Sequence, residues 1–262
     1  MTGATIKGVL LDIGGVVYVG SEALPGAVDA VRRLQRAGLA LRYLTNTTRT
    51  PCRGVLARLR GFGLEADEDE LFMPAIAARQ RLEAEGLRPH LLIHPALAED
   101  FEGLRVGRGR GEAVVVGDAA EGFTYQALNS CFRKLQAGAA FLALARNRSF
   151  QDSDGALSLD VGAFVSALEY ASGRQALVLG KPSPDFFLAA VKSLGCAPDE
   201  AVMIGDDAEA DVGGAMAAGL EGVLVKTGKY RDGDERHLDP PPSAVTEDLA
   251  AAADWLLARR GA

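Results

Sequence analysis

Short apolar runs alternate along this chain with segments in which apolar residues recur at helical spacing. The first run, GVLLD at 8–12, ends in Asp12 and precedes two glycines, which is typical of a buried strand that enters a tight turn. A helix is predicted at 25–37 and a second apolar strand at 39–46. A strand, a helix and a strand in this order predict a right-handed βαβ unit with parallel strands.

The same alternation continues to the end of the chain. Further strands are predicted at 90–94, 113–117, 140–145, 176–179, 201–204 and 222–225, and further helices at 49–59, 74–85, 124–136, 161–171, 185–194 and 249–259, with one more helix ending at 218. Strands that alternate with helices predict an α/β fold built on a parallel sheet. The middle third, 87–174, has enough strands and helices to form a small α/β domain of its own.

Composition and charge narrow the classes of function. Of the 262 residues, 48% are hydrophobic and 24% are charged, which is the balance of a soluble globular protein. The formal net charge of −7 argues against nucleic acid or an anionic membrane as a partner. The sequence shows no secretory signal and no membrane-spanning apolar run, and its cysteines lack metal-ligand or redox spacing. We therefore expect a cytoplasmic protein with free thiols.

Side chains capable of chemistry follow the predicted strands at four places. They are Asp12, then Thr45 with Asn46, then Lys181, then Asp206 with Asp207 and Asp211. Because the carboxyl ends of parallel strands meet at one edge of a sheet, we expect these groups to converge there. Asp12 taken alone is ambiguous, since an acid beside a turn can equally cap the loop that follows.

This set of groups suits phosphoryl transfer. Asp12 and Asp206 could hold Mg²⁺ together with waters and a backbone carbonyl, since a hard cation prefers oxygen ligands. Lys181 would neutralise a phosphate oxygen, and the Thr45 hydroxyl with neighbouring backbone amides would bind the remaining oxygens. A carboxylate can attack phosphorus, and Asp12 is the acid best placed to form an aspartyl-phosphate.

The segments DIGGVV, LTN, GKPSP and MIGDDAEADVGGA resemble the four motifs of the haloacid dehalogenase (HAD) superfamily. Their spacing resembles subfamily IIA, whose members carry an α/β cap of the C2 type between the second and third motifs. Longer segments, among them RPHLLIHP, FTYQALNSCFRKL and VKTGKYR, are similar to the branch that contains phospholysine phosphohistidine inorganic pyrophosphate phosphatases. The resemblance implies a Rossmann-like parallel-sheet core, at 1–86 and 175–262, with an inserted α/β cap at 87–174.

The resemblance also implies a role for each motif residue. Asp12 matches the nucleophile and first magnesium ligand, and Asp206 matches the magnesium-binding acid of the fourth motif. Thr45 and Asn46 match the phosphate-binding second motif, and Lys181 matches the catalytic lysine of the third. The implied substrate is a small phosphorylated compound.

Four further positions complete the implied site. Ile13 and Gly14 would contribute their backbone to substrate binding, and the Gly14 carbonyl would also bind the metal. Asp211 would lie in the shell of residues around the metal ligands, with Asp207 either there or in solvent.

Gly14 is also where the chain departs from the family pattern. Most phosphatases of the superfamily have an aspartate at this position as general acid and base, and the resembled branch has serine. Glycine can neither donate nor accept a proton, and general acid-base help is typically worth about 10² to 10⁴-fold in rate. We therefore expect a preference for leaving groups that depart without protonation, as in pyrophosphate, acyl phosphates and phosphoramidates. The alternative is a catalytically weak phosphate-binding or regulatory protein.

Three points stay open at the level of sequence. Asp118 follows a strand of the predicted cap, where it could select the leaving group of the substrate or cap the region before the helix that begins at Thr124. A homodimer formed through the cap is one option for the assembly. The arginine cluster at 105–110 is interpreted as a solvated turn, because it is too small for a nucleic-acid surface in an acidic protein.

Overall fold

The structure, a computed structural model, describes residues 5–105, 111–151 and 156–260. The strands are β1 Gly8–Asp12, β2 Tyr18–Val19, β3 Glu22–Ala23, β4 Ala40–Leu44, β5 Leu71–Phe72, β6 Arg88–Leu92, β7 Glu112–Val116, β8 Ala140–Ala143, β9 Ser149–Gln151, β10 Leu157–Leu159, β11 Leu177–Val178, β12 Ala201–Gly205, β13 Glu221–Val225 and β14 Ala244–Thr246. The helices are α1 Ala27–Arg36, α2 Cys52–Gly61, α3 Pro74–Glu85, α4 Tyr125–Gln136, α5 Val161–Ser172, α6 Pro184–Leu194, α7 Gly214–Ala217 and α8 Leu249–Arg260. Apart from Arg105, the arginine cluster lies outside the described residues.

The chain divides into two compact units. The first contains the residues up to Thr45, Leu56–Phe72 and the residues from Lys181 onward, and the second contains Asn46–Val55 and Met73–Gly180. The cap bounds expected from the sequence, 87–174, stay a prediction. No helix in the described parts of the chain is long and apolar enough to cross a membrane.

The first unit is built on a six-stranded parallel sheet with the order β14-β13-β12-β1-β4-β5. Strand β1 is central, and its first residue, Gly8, lies opposite both Ala201 of β12 and Ala40 of β4. The register keeps the carboxyl ends level, so that Asp12 lies opposite Leu44. The predicted α/β fold with a parallel sheet is confirmed.

Burial explains why β1 occupies the centre of this sheet. All five of its residues are buried, which requires a layer of apolar side chains on each face. On one face Leu10 and Met203 pack against Phe186 and Phe187 of helix α6. Asp12 is therefore held at the end of a rigid, buried strand and not on a loop.

The second unit has its own four-stranded parallel sheet, with the order β11-β8-β7-β6. Residues of α4 and α5 cover one face, and residues of α3 with the turn Pro95–Phe101 cover the other. Strands β9 and β10 form a separate antiparallel hairpin.

Strand β11 corrects one expectation. We expected the strand at 176–179 to join the sheet that contains Asp12, but β11 pairs with β8 in the second unit. The packing gives the reason. Val178 contacts the apolar cluster under α4 and α5, and Leu177 contacts the cluster on the opposite face, so both faces of the strand are covered within the second unit.

Candidate active site

A buried lysine links two carboxylates at the carboxyl end of β1. Lys181 donates to Asp12, and its Nζ lies 2.6 Å from Asp211 Oδ1. All three side chains are almost inaccessible to water. Burial alone lowers the pKa of Lys181, but the charges of Asp12 and Asp211 more than offset this, and the net pKa is raised. The lysine is therefore a fixed positive charge at neutral pH.

Asp206 follows β12 directly and is held by two turns. Its Oδ2 accepts the backbone N–H of Lys229 at 2.7 Å. Gly15 and Gly228 both have positive φ, 85° and 58°, and both pack against the same carboxylate. A Cβ on Gly228 would lie only 2.6 Å from Gly15 Cα, so neither position has room for a side chain. The Thr227 hydroxyl donates to the Gly15 carbonyl at 2.5 Å and joins the two turns.

The acids of this cluster form a group that could hold a metal ion. Asp12, Asp206 and Asp211 each offer a carboxylate oxygen, and these oxygens lie within 4.8 Å of one another. Burial raises the pKa of Asp12 well above its usual range, against the pull of Lys181, and repulsion from the other two acids adds to the rise. Burial and repulsion from Asp211 likewise raise the pKa of Asp206 to about 6. Three buried carboxylates facing one lysine suit a hard divalent cation, which would compensate the excess negative charge.

Asp207 and Asp211 are fixed by the π-helical turn Ala208–Gly213, in which Asp211 lies. Asp211 Oδ2 accepts the backbone N–H of Asp207 at 3.1 Å, and Asp207 Oδ1 accepts that of Ala210 at 2.9 Å. The second oxygen of Asp207 lies 3.3 Å from Nζ of Lys229. Asp211 therefore faces Lys181 and the other acids, whereas Asp207 faces the exposed lysine.

Gly14 is open to solvent and its position would accept a side chain. Apart from its two chain neighbours, no atom of the described residues lies within 4 Å of a Cβ built there, and its φ is not in the left-handed region. The carbonyl of the preceding residue, Ile13, accepts the N–H groups of Val17 at 2.9 Å and Tyr18 at 3.2 Å, which closes the turn after β1. The absence of a proton donor here thus reflects the choice of residue and not a lack of space.

The second motif is divided between the two units. Thr45 follows β4, is buried, and donates its backbone N–H to the Phe72 carbonyl at 3.1 Å in the first unit. Asn46 is half-buried and belongs to the second unit. The phosphate-binding roles of Thr45 and Asn46 stay predictions.

Asp118 is anchored within the second unit. Its carboxylate accepts Nε of Arg49 at 2.5 Å and the backbone N–H of Ala120 at 2.9 Å. Helix α4 has a different cap, since the Thr124 hydroxyl accepts the N–H of Ala127 at 3.2 Å. These contacts favour an anchoring role for Asp118 in the turn before α4.

Lys229 and Thr227 were missed by the sequence reasoning. The segment KTGKY was noticed only as part of a family resemblance, and no role was assigned to it. The position of this segment in the chain could have revealed it. The segment follows β13, which lies next to β12 in the parallel sheet, and it therefore begins at the edge that carries Asp206.

Comparisons with known proteins agree with this geometry. A family model described as haloacid dehalogenase-like hydrolase matches residues 9–106, and one described as HAD-hydrolase-like matches 178–252. The chain is 44% identical over 252 residues to haloacid dehalogenase-like hydrolase domain-containing protein 2 of Homo sapiens, covering 96% of each chain. It is 43% identical to phospholysine phosphohistidine inorganic pyrophosphate phosphatase of Xenopus laevis, covering 97% of this chain and 95% of that protein.

A solved structure shows the same fold. The p-nitrophenyl phosphatase from Archaeoglobus fulgidus superposes with a TM-score of 0.84 at 26% identity, covering 96% of this chain and all of the other. The chain therefore belongs to the haloacid dehalogenase-like hydrolases, in the phosphatase branch of that superfamily.

Proposed function

We propose that this chain is a magnesium-dependent phosphatase that works through an aspartyl-phosphate on Asp12 and favours substrates with good leaving groups. One observation carries the proposal: Asp12 is buried beside Lys181 and two further acids, while the position two residues later is an open Gly14. The relative from Xenopus laevis is named for phospholysine, phosphohistidine and pyrophosphate, and all three have leaving groups of the expected kind.

The metal-binding residues of this proposal are Asp12, Asp206 and the backbone carbonyl of Gly14, with Asp211 beside them. The three carboxylates satisfy the oxygen preference of magnesium, and burial together with repulsion between the acids raises the pKa values of Asp12 and Asp206. When bound, the ion supplies positive charge that screens the repulsion between a carboxylate nucleophile and the oxygens of a phosphate.

The chemical step uses the residues of the chain in fixed positions. An oxygen of Asp12 attacks phosphorus, a new O–P bond forms, and the bond to the leaving group breaks with its electron pair. Lys181 holds Asp12 in place and stabilises negative charge on the transferred phosphoryl group, and Thr45 binds another of its oxygens. Because the donors are buried and already ordered, little reorganisation is needed at the moment of reaction.

Gly14 determines which bonds break readily. With no acid at this position, the leaving group must depart as an anion or carry its own proton. Phosphate leaving pyrophosphate meets the first condition, and a phosphoramidate protonated on nitrogen meets the second. An alkoxide is too basic to depart readily as an anion and carries no proton of its own, so hydrolysis of alkyl phosphates should be slower by about 10² to 10⁴-fold.

A panel of substrates tests the proposal. Release of phosphate from pyrophosphate, phosphohistidine and an alkyl phosphate is measured with and without magnesium. The expected result is metal-dependent turnover that is fastest for the first two and is abolished by Asp12→Asn. Asp29→Asn is the matched control, because Asp29 pairs only with Arg36 on the surface of α1 among the described residues.

Two results would contradict the proposal. Faster hydrolysis of the alkyl phosphate would remove the role assigned to Gly14. Stabilisation by ligands against heat, without turnover of any substrate, would support the alternative of a phosphate-binding or regulatory protein.

A further inference from the structure

Lys229 is a second lysine beside the acids of the site, outside the buried cluster. Its backbone N–H donates to Asp206 Oδ2 at 2.7 Å, which fixes the start of its side chain beside a proposed metal ligand. About two thirds of the side chain is accessible, and its Nζ lies 3.3 Å from Asp207 Oδ2. Lys229 therefore combines a fixed backbone with an ammonium group that can move.

The ammonium group lies in the electric field of the cluster. Partial loss of solvent lowers the pKa of Lys229, but Asp207 and Asp211 act more strongly in the opposite direction and the net pKa is raised. Asp12 contributes to the same rise. The side chain is thus charged at neutral pH, and its amine lies 3.3 Å from Asp207, the residue that follows Asp206.

The ion pair with Asp207 does not prevent the ammonium group of Lys229 from binding another anion. Exposed pairs of this kind contribute little, because both ions are well solvated without each other. An anion with more charge than one carboxylate would compete for the ammonium group. Lys181 cannot bind such an anion in place of Lys229, since it is buried between Asp12 and Asp211.

We infer that Lys229 binds the departing phosphate of a pyrophosphate-type substrate and so selects substrates with a second anionic group next to the transferred phosphoryl. This inference rests on the proposed function, whose nucleophile is Asp12. As the Asp12 oxygen bonds to one phosphorus, the bridging P–O bond breaks and its electron pair remains on the departing phosphate. Lys229 stabilises that charge without giving up a proton, so atoms and charge balance.

Because Gly14 supplies no acid, a cation beside the leaving group would lower the barrier to its departure. A leaving group that is not protonated carries its full negative charge through the transition state, and a preorganised positive charge is the remaining way to stabilise it. An aryl phosphate has no second anionic group beside the transferred phosphoryl before the bond breaks, and it spreads the charge of the departing aryl oxide over the ring, so it gains less from Lys229.

The test compares Lys229→Gln with Lys226→Gln. Lys226 lies three residues earlier and pairs with Glu247 at 2.7 Å, and this pair is the main cause of the raised pKa of Lys226. Binding of methylenediphosphonate, which cannot be hydrolysed, and of orthophosphate is measured by calorimetry in the presence of magnesium. The ratio of kcat/KM for pyrophosphate to that for p-nitrophenyl phosphate is measured in parallel.

Lys229→Gln should weaken methylenediphosphonate binding by about ten- to a hundredfold, the range of one charge-assisted hydrogen bond, and orthophosphate binding by much less. The kcat/KM ratio should fall at least about tenfold for the same reason. Lys229→Arg should retain most of the affinity, and Lys226→Gln should change neither ligand.

The inference is overturned if Lys229→Gln weakens both ligands equally, because the residue would then act only through Asp206. It is overturned as well if neither affinity changes or if the wild-type protein binds no methylenediphosphonate. A wild-type protein that binds methylenediphosphonate through Lys229 without turnover would contradict the proposed catalysis and support only the selection of a second anionic group by Lys229.

Discussion

Lys181 reaches Asp12 across 169 residues of sequence, and the pair is buried with Asp211 on its other side. Such a pair is weak evidence for stability, but removing one partner leaves uncompensated charge in the interior. We therefore expect the cluster to serve the chemistry of the site and not the stability of the fold. Its negative charge is balanced by one lysine and by any cation that binds beside it.

Lys181→Met should lower the free energy of unfolding of the metal-free protein by about 3 to 5 kcal/mol near neutral pH. The loss should shrink at a lower pH, because the raised pKa of Asp12 lets that carboxyl take up a proton more readily than an ordinary aspartate. Urea denaturation at both pH values measures the effect. Lys192→Met, on the exposed face of α6, is the control, and an equal loss from both variants would contradict the assignment.

Asp206→Asn should stabilise the metal-free protein near neutral pH. The folded-state pKa of about 6 lies above the ordinary value of 3.8, so this group makes the free energy of unfolding fall as pH rises from about 4 to about 6. Asparagine removes that penalty and can still accept the Lys229 N–H. Each 1 kcal/mol gained raises Tm by about 2 to 4 °C in a chain of this size.

Magnesium should reverse the order of stability, so that the wild-type protein becomes more stable than Asp206→Asn. Thermal denaturation is followed with and without the ion, and the wild-type Tm should rise with magnesium while that of Asp206→Asn should not. Asp29→Asn should behave like the wild type. A variant that loses stability without metal and still responds to magnesium would remove Asp206 from the metal site.

Gly228→Ala should lower magnesium affinity at least about tenfold, because the new methyl group occupies the space of the Asp206 carboxylate. Gly38→Ala is the matched control, since Gly38 also has a positive φ of 76° but no atom within 4 Å of a built Cβ. Both variants should lose about 1 to 2 kcal/mol of stability from the unfavourable backbone, and Gly228→Ala should lose more because its methyl group has no room. Calorimetric titration with magnesium separates the two, and equal affinities would contradict the role of the Gly228 turn.

Much of the first unit could be predicted from the sequence. The runs that form β1, β4 and β12 are apolar enough to be recognised, and parallel pairing then places Asp12, Thr45 and Asp206 at one edge without further information. The edge strands β5 and β14 were not predicted, because two or three residues carry no readable pattern.

The sequence alone could not predict how Lys181 comes to lie beside Asp12. Its preceding strand, β11, belongs to the second unit, so the lysine reaches Asp12 through the loop that follows and not through the register of the sheet containing Asp12. Lys229 was missed for a related reason. Its function would depend on the approach of Gly15 to Gly228 around Asp206, and this tertiary contact leaves no periodic signal in the sequence.

The leaving-group dependence of kcat/KM tests the central claim most directly. A series of aryl phosphates of rising leaving-group pKa is compared in the wild-type protein, Gly14→Asp and Gly14→Ala. Because a Cβ built at this exposed position meets no atom of the other described residues within 4 Å, the variants should fold alike. The wild-type rate should fall steeply along the series. Gly14→Asp should flatten the slope and raise alkyl phosphate turnover by about tenfold or more, and Gly14→Ala should not. A flat slope in the wild type would contradict the account.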